Sequence, residues 1–138
     1  MTDNPVVIGN DSIKFIFSST CKAMTLIGVQ GTATANKALF DSATNARYVV
    51  PVGKKFVVLK CQVQAAQATA VGTDPVCELK YNTTTTGGTK ILEVYANINN
   101  YATSVDCYCE VAAGNYINGD NTTANFANIT VLGVECDS

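Results

Sequence analysis

The chain has 138 residues, enough for one domain with its own core, and 14% of them are charged against 47% hydrophobic. Its net charge is −2 and its largest basic cluster is the pair Lys54-Lys55, which argues against nucleic-acid binding, since neutralising phosphates takes a basic patch. It contains no histidine, which removes the commonest general base, the Ser-His and Cys-His nucleophile pairs and most catalytic zinc sites.

From the N-terminus, Val6-Val7-Ile8 and Ile13-Lys14-Phe15-Ile16-Phe17 are β-prone runs separated by the turn residues Asn10-Asp11. The start of the chain shows neither a basic n-region nor an apolar h-region, so the sequence leads us to expect synthesis and folding in the cytoplasm. No apolar run approaches the roughly 18 residues of a membrane-spanning helix, and no membrane partner is expected. A strand is expected over 23–29. Residues 32–41 read as a connection, and a helix over 34–41 would be a poor one because Thr and Asn are weak helix formers.

Tyr48-Val49-Val50 is followed by Pro51-Val52-Gly53, where Pro fixes φ and Gly tolerates positive φ, the marks of a turn. The run that follows alternates. Val57, Leu59, Cys61 and Val63 fall on one face and Lys60, Gln62 and Gln64 on the other, so the former are expected to feed the core. Cys77, Leu79 and Tyr81 then alternate with Glu78 and Lys80. A Thr-rich hairpin loop with Gly87-Gly88 leads to a return strand that places Leu92, Val94, Ala96 and Ile98 together. Val105, Cys107, Cys109 and Val111 share a face of the next strand, Tyr116-Ile117 starts a short one, and 126–134 is the last. The turn Val111-Ala112-Ala113-Gly114-Asn115 echoes Val50-Pro51-Val52-Gly53-Lys54 in shape, as paired corners of a jelly roll would, although chance explains five matching residues more readily than duplication. Short strands at regular intervals, with no long amphipathic helix, predict an all-β antiparallel β-sandwich, jelly-roll-like, with an extended N-terminal arm. It is one compact domain, residues 1–45 forming the arm and first strands and 46–138 the sandwich.

Six cysteines stand at 21, 61, 77, 107, 109 and 136. Several occupy apolar strand positions, where a thiol acts as a small hydrophobe. With no secretory signal, mostly reduced, buried cysteines are favoured over disulfides. Cys107 and Cys109 sit about 7 Å apart on one strand face, too far for a disulfide, and the spacing with Cys61 and Cys77 is not that of a zinc knuckle. Asp106 and Glu110 flank them as solvent-facing charges rather than a paired catalytic acid and base. Asp120 and Asn121 offer loop oxygens without EF-hand spacing, and the Asn-x-Thr and Asn-x-Ser tripeptides read as turn or strand residues. We expect no enzymatic activity, no metal and no cofactor.

The segment Tyr48-Val49-Val50-Pro51-Val52-Gly53-Lys54-Lys55-Phe56-Val57-Val58 resembles a pattern of small virion proteins of tailed bacteriophages. In these a short β run, a V-P-x-G-K turn and an aromatic-led strand open a jelly-roll-like sandwich. Val111-Ala112-Ala113-Gly114-Asn115-Tyr116-Ile117 and Ile129-Thr130-Val131-Leu132-Gly133-Val134-Glu135 are similar to the end of such domains. The resemblance implies a non-enzymatic capsid decoration (cement) protein on the virion surface, assembled in the host cytoplasm as a homotrimer and bound to the major capsid protein. Its alternative is the receptor- or carbohydrate-binding head of a fibre or spike, recognising through the loop at 82–89 and exposed tyrosines. Interface candidates are Val6, Val7, Ile8, Phe15 and Phe17 of the arm, with Tyr95 and Tyr101.

Overall fold

The alternating runs form strands, and neighbouring strands pair antiparallel throughout. The computed structural model describes residues 20–30, 37–65, 76–95, 102–121 and 127–138, with the backbone of 6–8 and 15–17. The strands are β1 (Val6–Ile8), β2 (Phe15–Phe17), β3 (Lys22–Gln30), β4 (Phe40–Asp41), β5 (Ala46–Arg47), β6 (Lys54–Ala65), β7 (Val76–Asn82), β8 (Thr89–Tyr95), β9 (Thr103–Ala112), β10 (Tyr116–Asn121) and β11 (Ala127–Asp137). One sheet has the order β5-β4-β3-β11-β6-β9, a second the order β10-β7-β8, and β1 pairs with β2.

The two sheets pack face to face as a β-sandwich. Leu26 of β3, Phe56, Val58, Cys61 and Val63 of β6, Val111 of β9 and Ile129 and Val131 of β11 meet Cys77 and Leu79 of β7, Val94 of β8 and Ile117 of β10 in one core. Burying each such side chain contributes roughly 1.5–3 kcal/mol, so the inward face of every long strand is held by its alternation. Residues 37–39 are extended rather than helical and add to the smaller sheet. The Leu39 amide donates to the Ile117 carbonyl at 2.9 Å and the Gly119 amide to the Lys37 carbonyl at 3.0 Å. The chain then crosses into the larger sheet as β4, and Tyr48 returns beneath it. Its phenol donates to Glu135 at 2.8 Å and its ring lies 5.2 Å from that of Phe56. Burial first, and then the bond to Glu135, holds that phenol far above the ordinary tyrosine range.

The face predicted for β6 is corrected by a β-bulge. Against β11, Lys60 faces Leu132 but Val58 faces Gly133, so Leu59 is an extra residue between them. An extra residue reverses the inside-outside parity along the strand. Phe56 and Val58 therefore share the core with Cys61 and Val63, while Val57 and Leu59 join Val134, Cys136 and Cys21 in a small cluster apart from it. On β8 a second irregularity sits between the pairs Leu79–Leu92 and Lys80–Lys90. It lets Ile91 as well as Leu92 pack against the core. Ala96 and Ile98 lie outside the described residues.

The two echoing turns are neighbours. The Val50 amide donates to the Asn115 carbonyl at 2.9 Å and the Gly114 amide to the Val50 carbonyl at 2.8 Å. Gly53 and Gly114 have φ of 78° and 83°, values that only glycine adopts freely. The Lys54 amide closes the first turn on the Pro51 carbonyl at 3.1 Å, as a type II turn requires.

β3 and β4 belong to the sandwich rather than to an arm, since β3 is bounded by β4 on one side and β11 on the other. That leaves the segment before Cys21 as the candidate arm, where Val6 pairs with Phe17 and Ile8 with Phe15.

Candidate interaction surfaces

The outward residues of β3 and β11 between Ala23 and Leu132 are uncharged. Alternation turns Leu26, Ile129 and Val131 inward, so Ala23, Thr25 and Ile27 of β3 lie beside Asn128, Thr130 and Leu132 of β11 on the outside. Ile27 is 39% and Leu132 42% exposed, apolar side chains on neighbouring strands of the same face. A shallow depression of about 420 Å³ opens beside Leu132, lined by Lys22, Thr25, Asp41, Leu59, Leu132 and Val134. Its rim is the β4–β5 turn. There the Asp41 carboxylate accepts from the Ala43 amide at 3.0 Å and the Thr44 hydroxyl at 3.2 Å. Across β6 the charges return as ion pairs, Lys60 with Asp106 at 3.4 Å and Lys55 with Glu110 at 2.9 Å.

Two further surfaces display apolar or aromatic groups. Val52 at the tip of the first corner is 95% exposed, beside exposed Pro51, Ala112 and Ala113. Tyr95 at the end of β8 is 64% exposed and Tyr108 on β9 is 66% exposed, the Tyr108 hydroxyl donating to Glu110 at 3.0 Å. The loop between β7 and β8 is fastened from below. The Asn118 amide nitrogen, fully buried in β10, donates to the carbonyls of Thr84 and Gly87 at 3.1 and 3.0 Å, and the Lys37 amide donates to Thr85 at 2.8 Å.

The outward residues of the smaller sheet carry a chain of alternating charges. Lys37 and Lys80 both contact Asp120, the latter at 3.1 Å. Lys80 and Lys90 reach Glu78 at 2.5 and 2.6 Å, and Lys90 reaches Glu93 at 2.5 Å. Hydrogen bonds from Lys80, then Lys90, push the Glu78 carboxyl down to about 2. For Asp120, burial acts in the opposite direction, but Lys37 and Lys80 outweigh it and hold the carboxyl below its ordinary range. The sequence put Asp120 in a loop with free oxygens. It is a strand residue whose carboxylate is already neutralised.

Four cysteines pack as apolar residues. Cys61 and Cys77 are in the core and Cys107 and Cys109 lie against it. Burial pushes the Cys61 and Cys77 thiols up to about 12, which leaves them poor nucleophiles. Among the described residues no three His, Cys, Asp or Glu side chains come together to hold a metal ion. Cys21 and Cys136, by contrast, form a disulfide across β3 and β11, with Cα atoms 4.1 Å apart. Reduced cysteines were favoured from the sequence. The pairing of Lys22 with Glu135 puts the next two residues, Cys21 and Cys136, opposite each other, and only the folded register makes that visible.

Of the residues singled out from the sequence, Tyr95 is exposed at the end of β8. Val6, Val7, Ile8, Phe15 and Phe17 are brought together as the β1–β2 pair. Tyr101 lies outside the described residues. Ile27, Leu132 and Val52 were missed, and parity could have found Leu132, which falls out of phase with Ile129 and Val131. No family model, curated protein or solved structure matches the chain.

Proposed function

We propose that the protein is a non-enzymatic virion structural protein, a capsid decoration protein that binds the major capsid protein as a homotrimer on the phage head. The observation that supports this reading is the run of uncharged outward residues on β3 and β11, with Ile27 and Leu132 exposed and a depression, edged by Lys22 and Asp41, beside Leu132. Such a face gains free energy when a partner covers it, and repetition around a symmetric shell adds many modest contacts. The jelly-roll connectivity and the role of the segment before Cys21 as an arm reaching a neighbour belong to the same proposal. Co-sedimentation with empty capsids of the source phage tests it. The full chain binds, the Ile27→Asp/Leu132→Asp variant does not, and a chain lacking residues 1–19 binds more weakly. Recovery of the protein as a free monomer, absent from purified particles by mass analysis, rejects it.

A second reading, the carbohydrate- or receptor-binding head of a fibre or spike, is favoured by the exposed Tyr95 and Tyr108 and by a β7–β8 loop held rigid through Asn118. Tyrosine offers sugars a flat apolar face with a polar tip. Binding to a glycan array without affinity for capsids would select it.

A further inference from the structure

One pair of the six cysteines is bonded, and the other four are free. Cys107 and Cys109 point to the same side of β9, two residues apart. Cys61 faces Val105 across β6 and β9, and Cys77 faces Val94 and Asn121 in the other sheet. Cys21 and Cys136 alone sit opposite each other at the end of a ladder. They also sit where β3 pairs, among the described residues, with β11 alone. β4 reaches β3 only at Leu26 and Ile27, so among the described residues the stretch 22–24 is paired on one side, to β11. The end of β11 is held on its other side too. There Asp137 pairs with Lys54 along the β6 ladder, the two side chains form an ion pair, and the Ser138 amide donates to the Gly53 carbonyl at 3.0 Å. A strand end with one neighbour frays unless it is tied.

We propose that Cys21–Cys136 is a redox-operated clasp on the start of β3: the chain folds with both thiols free under reducing conditions and the clasp closes on oxidation. Closure is thiol–disulfide exchange with a small-molecule disulfide such as oxidised glutathione. One protein thiolate attacks it and releases one glutathione thiol. The second protein thiolate then attacks the mixed disulfide and releases the other. The protein loses two electrons and two protons, and the small disulfide is reduced to two thiols. Cys21, partly exposed, is the accessible entry point, whereas Cys136 is buried in the cluster with Val57 and Val134. The other four cysteines are unbonded: Cys61 and Cys77 are buried, and Cys107 and Cys109, partly exposed, lie on one strand at a spacing too wide for a disulfide. Opening the clasp frees the first residues of β3 while β11 stays held against β6, so the transition is local.

The test uses the full chain equilibrated with oxidised or reduced glutathione, followed by acid quench, alkylation and intact-mass analysis, with hydrogen exchange on both forms. The oxidised form is expected to carry four alkylatable thiols, of which Cys61 and Cys77 are reached only after unfolding. The reduced form is expected to carry six, with Cys21 labelled in the native protein. Exchange at 22–24 should rise roughly tenfold or more on reduction, with 129–131 unchanged. A Cys21→Ser/Cys136→Ser variant should show the reduced pattern in oxidising buffer. If it does not fold, reduced wild-type protein gives the same comparison. Six thiols after equilibration with oxidised glutathione overturn the proposal. So does equal exchange at 22–24 in both forms, or loss of protection across the whole of β11 on reduction.

Discussion

Gly133 lies directly under the ring of Phe56: a Cβ built at Gly133 would stand 2.4 Å from the Phe56 Cζ and equally close to the carbonyl oxygen of Val57. The aromatic ring can turn, but the carbonyl belongs to the backbone of the bulged strand and cannot. Gly133→Ala is therefore expected to destabilise the fold by roughly 1–3 kcal/mol or more, as overpacking of a closed core does. Phe56→Leu in the same chain should recover only part of the loss. Urea denaturation of the two variants and the wild type checks this, and an unchanged midpoint for Gly133→Ala would contradict the packing.

Asn118 holds the β7–β8 loop by two hydrogen bonds from a single buried amide nitrogen. Asn118→Ala leaves two carbonyls without their donor and is expected to cost roughly 1–3 kcal/mol. Asn118→Asp should cost more, because a carboxylate oxygen would then face those carbonyls. Hydrogen exchange should show the loss first in residues 83–88, and exchange confined to other strands would show that the loop is fastened in some other way.

The charge chain on the smaller sheet makes stability fall in acid. The Glu78 carboxyl is pushed down from 4.5 to about 2 by Lys80 and Lys90, so the unfolded chain takes up this proton first as pH falls. Its contribution is complete above the unfolded value of 4.5 and drains away as pH approaches 2. Glu78→Gln should lower the urea midpoint at pH 7 and flatten the decline between pH 4.5 and 2 relative to wild type. At the alkaline end the sign reverses. Lys90 is raised above 10.5 by Glu78 and then Glu93, so its contribution persists below that value and is lost as pH rises past it.

Leu132→Asp and Ile27→Asp alter half-exposed strand positions and should cost roughly 1 kcal/mol of stability each. Under the proposed role their effect falls on capsid binding. Retained capsid binding by the doubly substituted, folded protein would remove the outer face of β3 and β11 from the proposed interface.

Much of the sandwich was legible because burial and strand period coincide. The inward set Cys77, Leu79 and Val94, with Cys107 and Cys109 turned the same way on β9, stands where alternation put it. Asp106 and Glu110 likewise face solvent with Tyr108 between them. Parity failed at Leu59, because a bulge is a property of two strands and one strand's sequence does not announce it. The candidate surface was less legible. Exposed Ile27 and Leu132 differ from core residues only in direction, and direction follows from which sheet covers which face.

The sequence by itself determined the all-β class, the antiparallel strands and the corner at Pro51 to Gly53, since period, β-propensity and turn stereochemistry act over a few residues. Only the tertiary structure decided that Cys21 meets Cys136, that Asp120 is neutralised by Lys37 and Lys80, and that the corners at Gly53 and Gly114 lie side by side. Each of these joins residues far apart in the chain, and their meeting depends on strand order and register, which the packing of the two sheets selects as a whole.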